Sequence, residues 1–144
     1  MQRVLFDTSI YIEALRTTAD VAVEARRLSG GAPVWLSAVV LGELFAGVNQ
    51  REREHVEELE QTFERTGRVL VPNAGDWAQA GRLLSLVAAK HGYEKIGKGR
   101  LMNDALIATS ARRTGTIVVT ANERDFSRLA DLRPFPWRFS SAHA

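Results

Sequence analysis

Val4-Leu-Phe-Asp7-Thr-Ser9 decides the fold: an apolar run of strand length passes straight into a carboxylate and two hydroxyls. Val, Leu and Phe in succession, with no polar alternation, fit a strand buried on both faces. Asp, Thr and Ser accept hydrogen bonds from the free amides of a helix start, so the stretch reads as strand, turn and helix. Pro33-Val-Trp-Leu36, Val69-Leu-Val71 and Ile117-Val-Val-Thr120 repeat the pattern, and each is followed by a helical segment. Strands alternating with helices predict an α/β fold with a mainly parallel sheet covered on both faces.

Around these strands the periodicity predicts helices over Thr8 to Leu15 and Thr17 to Leu28. The second has Thr18 or Asp20 as N-cap and Gly30-Gly31 as its stop. Ser37 caps a helix carrying Glu43, and Val56, Leu59 and Phe63 form one buried stripe between Gln50 and Thr66. Asp76 to His91 reads as an amphipathic helix with Trp77, Ala80, Leu83, Leu84, Val87 and Ala88 inward. Gly92 to Arg100, rich in glycine and basic residues, reads as a positive loop. A further helix starts at Asn103 or Asp104 and runs to about Arg113. Ala121 to Leu129 is a loop with a short helix, and Pro134 to Phe139 holds an edge strand.

With 144 residues, 45% of them hydrophobic, the chain fits one domain over residues 1–144. The absence of cysteine excludes disulfides, thiolate catalysis and Cys-based zinc sites. There is no signal-peptide layout and no apolar stretch long enough to span a membrane, so a cytoplasmic protein is expected. Net charge is only +2, yet Lys90 to Arg138 is strongly basic and Glu52 to Glu64 is dominated by Glu. A basic remainder around gathered carboxylates favours a polyanionic partner, although a scattered solvated surface reads the same way.

Four acids stand where their neighbours are apolar or small: Asp7, Glu43, Asp104 and Asp125. Each has an ordinary explanation as a helix cap, a dipole partner or a solvent-facing side chain. Needing all four at once points instead to a shared cation, because a carboxylate withdrawn from water requires compensation. Oxygen ligands without Cys or paired His select Mg²⁺ or Mn²⁺. The histidines, His55, His91 and His143, lack ligand spacing. Such a site beside a basic surface suits phosphodiester chemistry, which leaves nuclease and phosphatase both open.

Val4-Leu-Phe-Asp-Thr-Ser9, Leu36-Ser-Ala-Val-Val-Leu-Gly-Glu-Leu44, Asn103-Asp-Ala-Leu-Ile-Ala108 and Val119-Thr-Ala-Asn-Glu-Arg-Asp-Phe126 resemble, in order, the four motifs of PIN-domain proteins. The last is similar to that of VapC-type ribonuclease toxins. The resemblance implies a three-layer PIN fold, a homodimer, Mg²⁺- or Mn²⁺-dependent endonuclease activity on RNA, and inhibition by a VapB-type antitoxin. It makes Asp7, Glu43, Asp104 and Asp125 the catalytic and metal-binding acids, with Thr8, Ser9, Thr120 and Asn122 as polar support. Lys98, Arg100 and Arg124 are the candidates for holding the phosphate backbone. Asn122 departs from the pattern, since many PIN nucleases carry another aspartate there. Two rivals remain: a PIN module that only binds RNA or protein, and a haloacid-dehalogenase-like phosphatase, which would want an Asp at the position of Ser9.

Overall fold

The computed structural model describes residues 2–17, 20–92 and 100–140, residue 100 by its backbone alone. Five strands, β1 (Val4–Phe6), β2 (Val34–Ser37), β3 (Val69–Leu70), β4 (Ile117–Thr120) and β5 (Trp137–Phe139), form one sheet in the order β3-β2-β1-β4-β5. Every pairing is parallel, with Val4 opposite Val34 on one side and Ile117 on the other. Helices α1 (Thr8–Thr17), α2 (Val21–Ser29), α3 (Ala38–Gly47), α4 (Gln50–Arg65), α5 (Ala74–His91), α6 (Arg100–Thr114) and α7 (Glu123–Leu132) complete a three-layer α/β architecture. Val4, Leu5 and Phe6 are fully buried, as expected of a central strand covered on both faces.

The strand order reverses between β1 and β4: from β1 the chain runs to β2 and β3, then crosses back to β4 and β5. At such a switch point the connections leave in opposite directions, and a crevice opens at the carboxyl ends of the two strands. Asp7 follows directly on β1 and Thr120 ends β4, so the topology delivers both to one crevice.

Several boundaries differ from the sequence reading for local reasons. Thr17 ends α1, and α2 starts at Val21 behind Asp20, whose carboxylate accepts from the Val23 amide; Thr18 lies outside the described residues. The second helix stops where expected, with Gly30 at φ 62°, a left-handed turn that glycine adopts without penalty. Asn73 and Asp76 form a reciprocal capping box, which starts α5 at Ala74. Helix α6 begins at Arg100, within the stretch expected to be loop, and the segment after β4 is a ten-residue helix capped by Asn122 rather than by Asp125.

Trp77 corrects a core assignment: it is 54% exposed. Its neighbour Asp76 is buried and receives the Arg113 guanidinium. Trp77 lies in the first turn of α5 and faces an open cavity shared with Val71 and Leu106, whereas Ala80, Leu83, Leu84, Val87 and Ala88 further along the helix are buried as expected.

Candidate active site

The Asp7 carboxylate sits at the centre of a hydrogen-bond system joining two chain segments, the turns after β1 and β4. Ser9 Oγ donates to Oδ1 at 2.5 Å, and Thr120 Oγ1 donates to Oδ2 at 2.7 Å. The Ile10 amide also donates to this side chain, so Asp7 caps α1 while standing in the crevice. Ser9 Oγ accepts from the Ala121 amide at 3.2 Å, and Thr120 Oγ1 accepts from the Asn122 amide at 2.8 Å. The turn after β4 is therefore fastened to the turn after β1.

Glu43 reaches the same region from α3. Thr8 Oγ1 donates to its Oε1 at 2.6 Å, and Asn103 Nδ2, from α6, donates to its Oε2 at 3.3 Å. Burial pushes the Asp7 carboxyl above the usual carboxylate range, against the hydrogen bonds from Ser9, Thr120 and Ile10, and the charge of Glu43 adds to the rise. Two carboxylates that feel one another in a partly dry crevice are a local excess of negative charge, of the kind a cation relieves.

A family model described as PIN domain matches residues 4–132. The chain belongs to the PIN-domain family. Its fold is also that of chains from solved complexes. DNA-bound VapBC from Salmonella typhimurium matches with a TM-score of 0.69 and 22% identity, over 96% of this chain and 98% of that one. VapBC-1 from nontypeable Haemophilus influenzae matches at 0.64 and 24%, over 96% and 98%. FitAcB from Neisseria gonorrhoeae matches at 0.66 and 24%, over 98% and 99%. A comparison with curated proteins finds no match.

In this PIN domain, Asp7, Ser9 and Thr120 form one hydrogen-bonded set, Thr8, Glu43 and Asn103 form a second beside it, and Asn122 and Asp125 stand at the edge of the first. Asn122 Nδ2 donates to Asp125 Oδ2 at 2.9 Å, and Asn122 Oδ1 receives the Asp125 amide at 3.4 Å. An aspartate at position 122 has no N–H to offer and would set a second carboxylate against Asp125; asparagine replaces that repulsion with a bond. Asp104 is buried on α6, one residue beyond Asn103. Arg124 is exposed in the first turn of α7. Lys98 lies outside the described residues, as does the Arg100 side chain. The holding role of Asn103 is not marked in its motif; the signal available in the sequence is an amide directly before Asp104 at the edge of an apolar run.

Among the described residues, no group of three or more His, Cys, Asp or Glu side chains is arranged to hold a metal ion. The assembled unit is the Asp7 and Glu43 pair with its hydroxyl and amide partners. That set fits Mg²⁺, which keeps several waters and binds through one or two carboxylates plus substrate phosphate rather than in an all-protein cage. Beside Glu43 a cavity of about 470 Å³ opens between Asn103, Leu106, Val71 and the exposed Trp77. A cavity of about 560 Å³ between α2 and α4 is lined by Ala25, Phe63, Arg26 and Arg68 and includes none of these acids. No helix among the described residues is long and apolar enough to cross a membrane.

Proposed function

We propose that this PIN domain is an Mg²⁺- or Mn²⁺-dependent endoribonuclease toxin of the VapC type, hydrolysing RNA phosphodiester bonds. The observation that carries the reading is the pairing of Asp7 and Glu43 at the β1/β4 switch point, each held by hydroxyl or amide donors from other elements. A divalent ion bound there supplies a water of lowered pKa and offsets charge on the phosphate oxygens. The chain's own groups hold the geometry. Ser9 and Thr120 aim Asp7, Thr8 holds Glu43, and Asp104 and Asp125 complete the acidic set. Thr8, Ser9 and Asn122 line the approach to the phosphate, and the buried Thr120 supports them from beneath.

Arg124, with Lys98 and Arg100, holds the phosphate backbone. Single-stranded or looped RNA is the substrate class, because an A-form duplex hides its base edges in a deep groove. Ser9 stands where a haloacid-dehalogenase-like phosphatase needs its second aspartate, and it donates to Asp7 instead. The fold shared with chains of VapBC structures supports a VapB-type antitoxin as partner, and the family resemblance extends the reading to a cytoplasmic homodimer.

Purified protein incubated with unstructured RNA tests the reading. Cleavage in Mg²⁺ or Mn²⁺, lost on chelation and in Glu43→Gln, supports it. RNA binding without cleavage under all these conditions would leave only the binding-module alternative.

A further inference from the structure

Asn103 and Thr8 grip opposite oxygens of one carboxylate. Thr8 Oγ1 lies 2.6 Å from Glu43 Oε1, and Asn103 Nδ2 lies 3.3 Å from Oε2. The two donors come from α1 and α6, while the carboxylate comes from α3. Glu43 is only partly buried, and its helix presents small residues, Gly42 and Ala46, to the cavity beside it, so neighbouring bulk does little to confine the side chain. A glutamate in such a place keeps several rotamers unless something fixes its end. Donors on both oxygens fix the plane of the carboxylate as well as its position.

We infer that Asn103 is a positioning residue that acts through Glu43, holding its carboxylate ready for cation capture. The inference rests on the metal-dependent reading above and deepens it. The amide suits the task better than the obvious alternatives. An aspartate at position 103 offers no donor and adds a like charge beside Glu43 and Asp7, whereas a lysine would hold Glu43 by occupying the cation's own electrostatic role. An amide donates without carrying charge. Asn103 also precedes Asp104 on α6, so one helix turn links the grip on Glu43 to a third acid of the proposed set.

Manganese affinity read by calorimetry, without RNA, tests the assignment. Asn103→Leu keeps the branching at Cγ and removes the donor. It is expected to weaken Mn²⁺ binding by about tenfold or more, the usual cost of losing a group that orients a ligand. Its melting temperature in chelator should stay near that of wild type, and Asn103→Ala serves as a second truncation if leucine disturbs packing. Asn103→Gln, which carries the same donor on a longer arm, should recover most of the affinity. A residue that works through Glu43 cannot cost more than Glu43 itself, so the loss in Asn103→Leu must not exceed that in Glu43→Gln. A wild type that binds Mn²⁺ and an Asn103→Leu protein that binds it equally well would overturn the positioning role alone. A larger loss in Asn103→Leu than in Glu43→Gln, or no recovery in Asn103→Gln, would overturn it too. A wild type with no affinity for Mn²⁺ would remove the metal-dependent reading and the inference with it.

Discussion

The Thr120 hydroxyl donates to Oδ2 of Asp7 at 2.7 Å, bridging 113 positions of sequence to join the ends of two adjacent strands. Thr120 is fully buried and its oxygen also receives the Asn122 amide, so a single hydroxyl aims the carboxylate and anchors the following turn. Thr120→Val preserves shape and removes both bonds. It should destabilise the protein by about 1–3 kcal/mol, the cost of leaving buried polar groups unsatisfied. Urea unfolding in chelator measures it, and metal-dependent cleavage should fall in the same variant. A full-strength Thr120→Val nuclease would mean that Asp7 needs no aiming.

Asp7 also predicts a pH dependence. Burial raises its folded-state pKa above the unfolded value, so between the two values the folded state holds the proton more tightly. Stability from this group is therefore fully present at low pH and is lost as pH rises through the raised pKa. Asp7→Asn lacks the titration. Melting curves in chelator from about pH 4 to pH 8 should show Asp7→Asn gaining on wild type as pH rises. A constant difference across that range would place the Asp7 charge in a well-solvated setting.

Arg113 provides a control on the scaffold. Its guanidinium lies 2.9 Å from the buried Asp76 carboxylate and fastens α6 to the start of α5. Arg113→Met leaves that carboxylate with the Asn73 amide as its remaining partner among the described residues and should cost about 3 kcal/mol, the low end for a broken buried pair because Arg113 is 40% exposed. Thermal and denaturant melts should register the loss, while Mn²⁺ affinity at low temperature stays close to wild type. A site that fails together with this bond would couple more tightly to α5 than the contacts suggest.

Arg124 tests the nucleic-acid side. It is exposed beside Asp125 and carries no hydrogen-bonded acid among the described residues. Arg124→Glu should weaken RNA binding uniformly across sequences and flatten the slope of log affinity against log salt by about 0.7 or more, one released counterion on a single strand. Filter binding over a range of salt concentrations measures the slope. If it stays the same, Arg124 lies outside the path of the backbone.

Much of the fold was legible in the sequence because burial on both faces leaves a plain mark. Val4-Leu-Phe6 and Ile117-Val-Val-Thr120 are continuous apolar runs, and each stands in the sheet at or within a residue of its expected place. The buried stripe Val56, Leu59 and Phe63 was equally plain, because its spacing of three and four has one solution on a helix. Trp77 was not legible. Its spacing matches that of the buried Leu84, yet in the first turn of α5 the inward position is taken by Asp76, held by Arg113, 37 positions away, and Trp77 faces an open cavity. Residue type alone carries no record of such a pairing. The start of α6 at Arg100 likewise ran against local composition.

By itself, the sequence determined the alternation of strands and helices, the absence of thiol chemistry, and the residue types from which an acidic site has to be built. Tertiary structure decided which of those acids meet. The strand order brings the ends of β1 and β4 together, and this is why Asp7 shares hydroxyls with Thr120 and Ser9. It also decided that Asn122 bonds to Asp125 and that Asn103, legible in the sequence only as a helix start and a motif position, holds Glu43. The physical reason is range: periodicity and capping act within a few residues, whereas a hydrogen bond between side chains on different elements exists only once the sheet has set their distance.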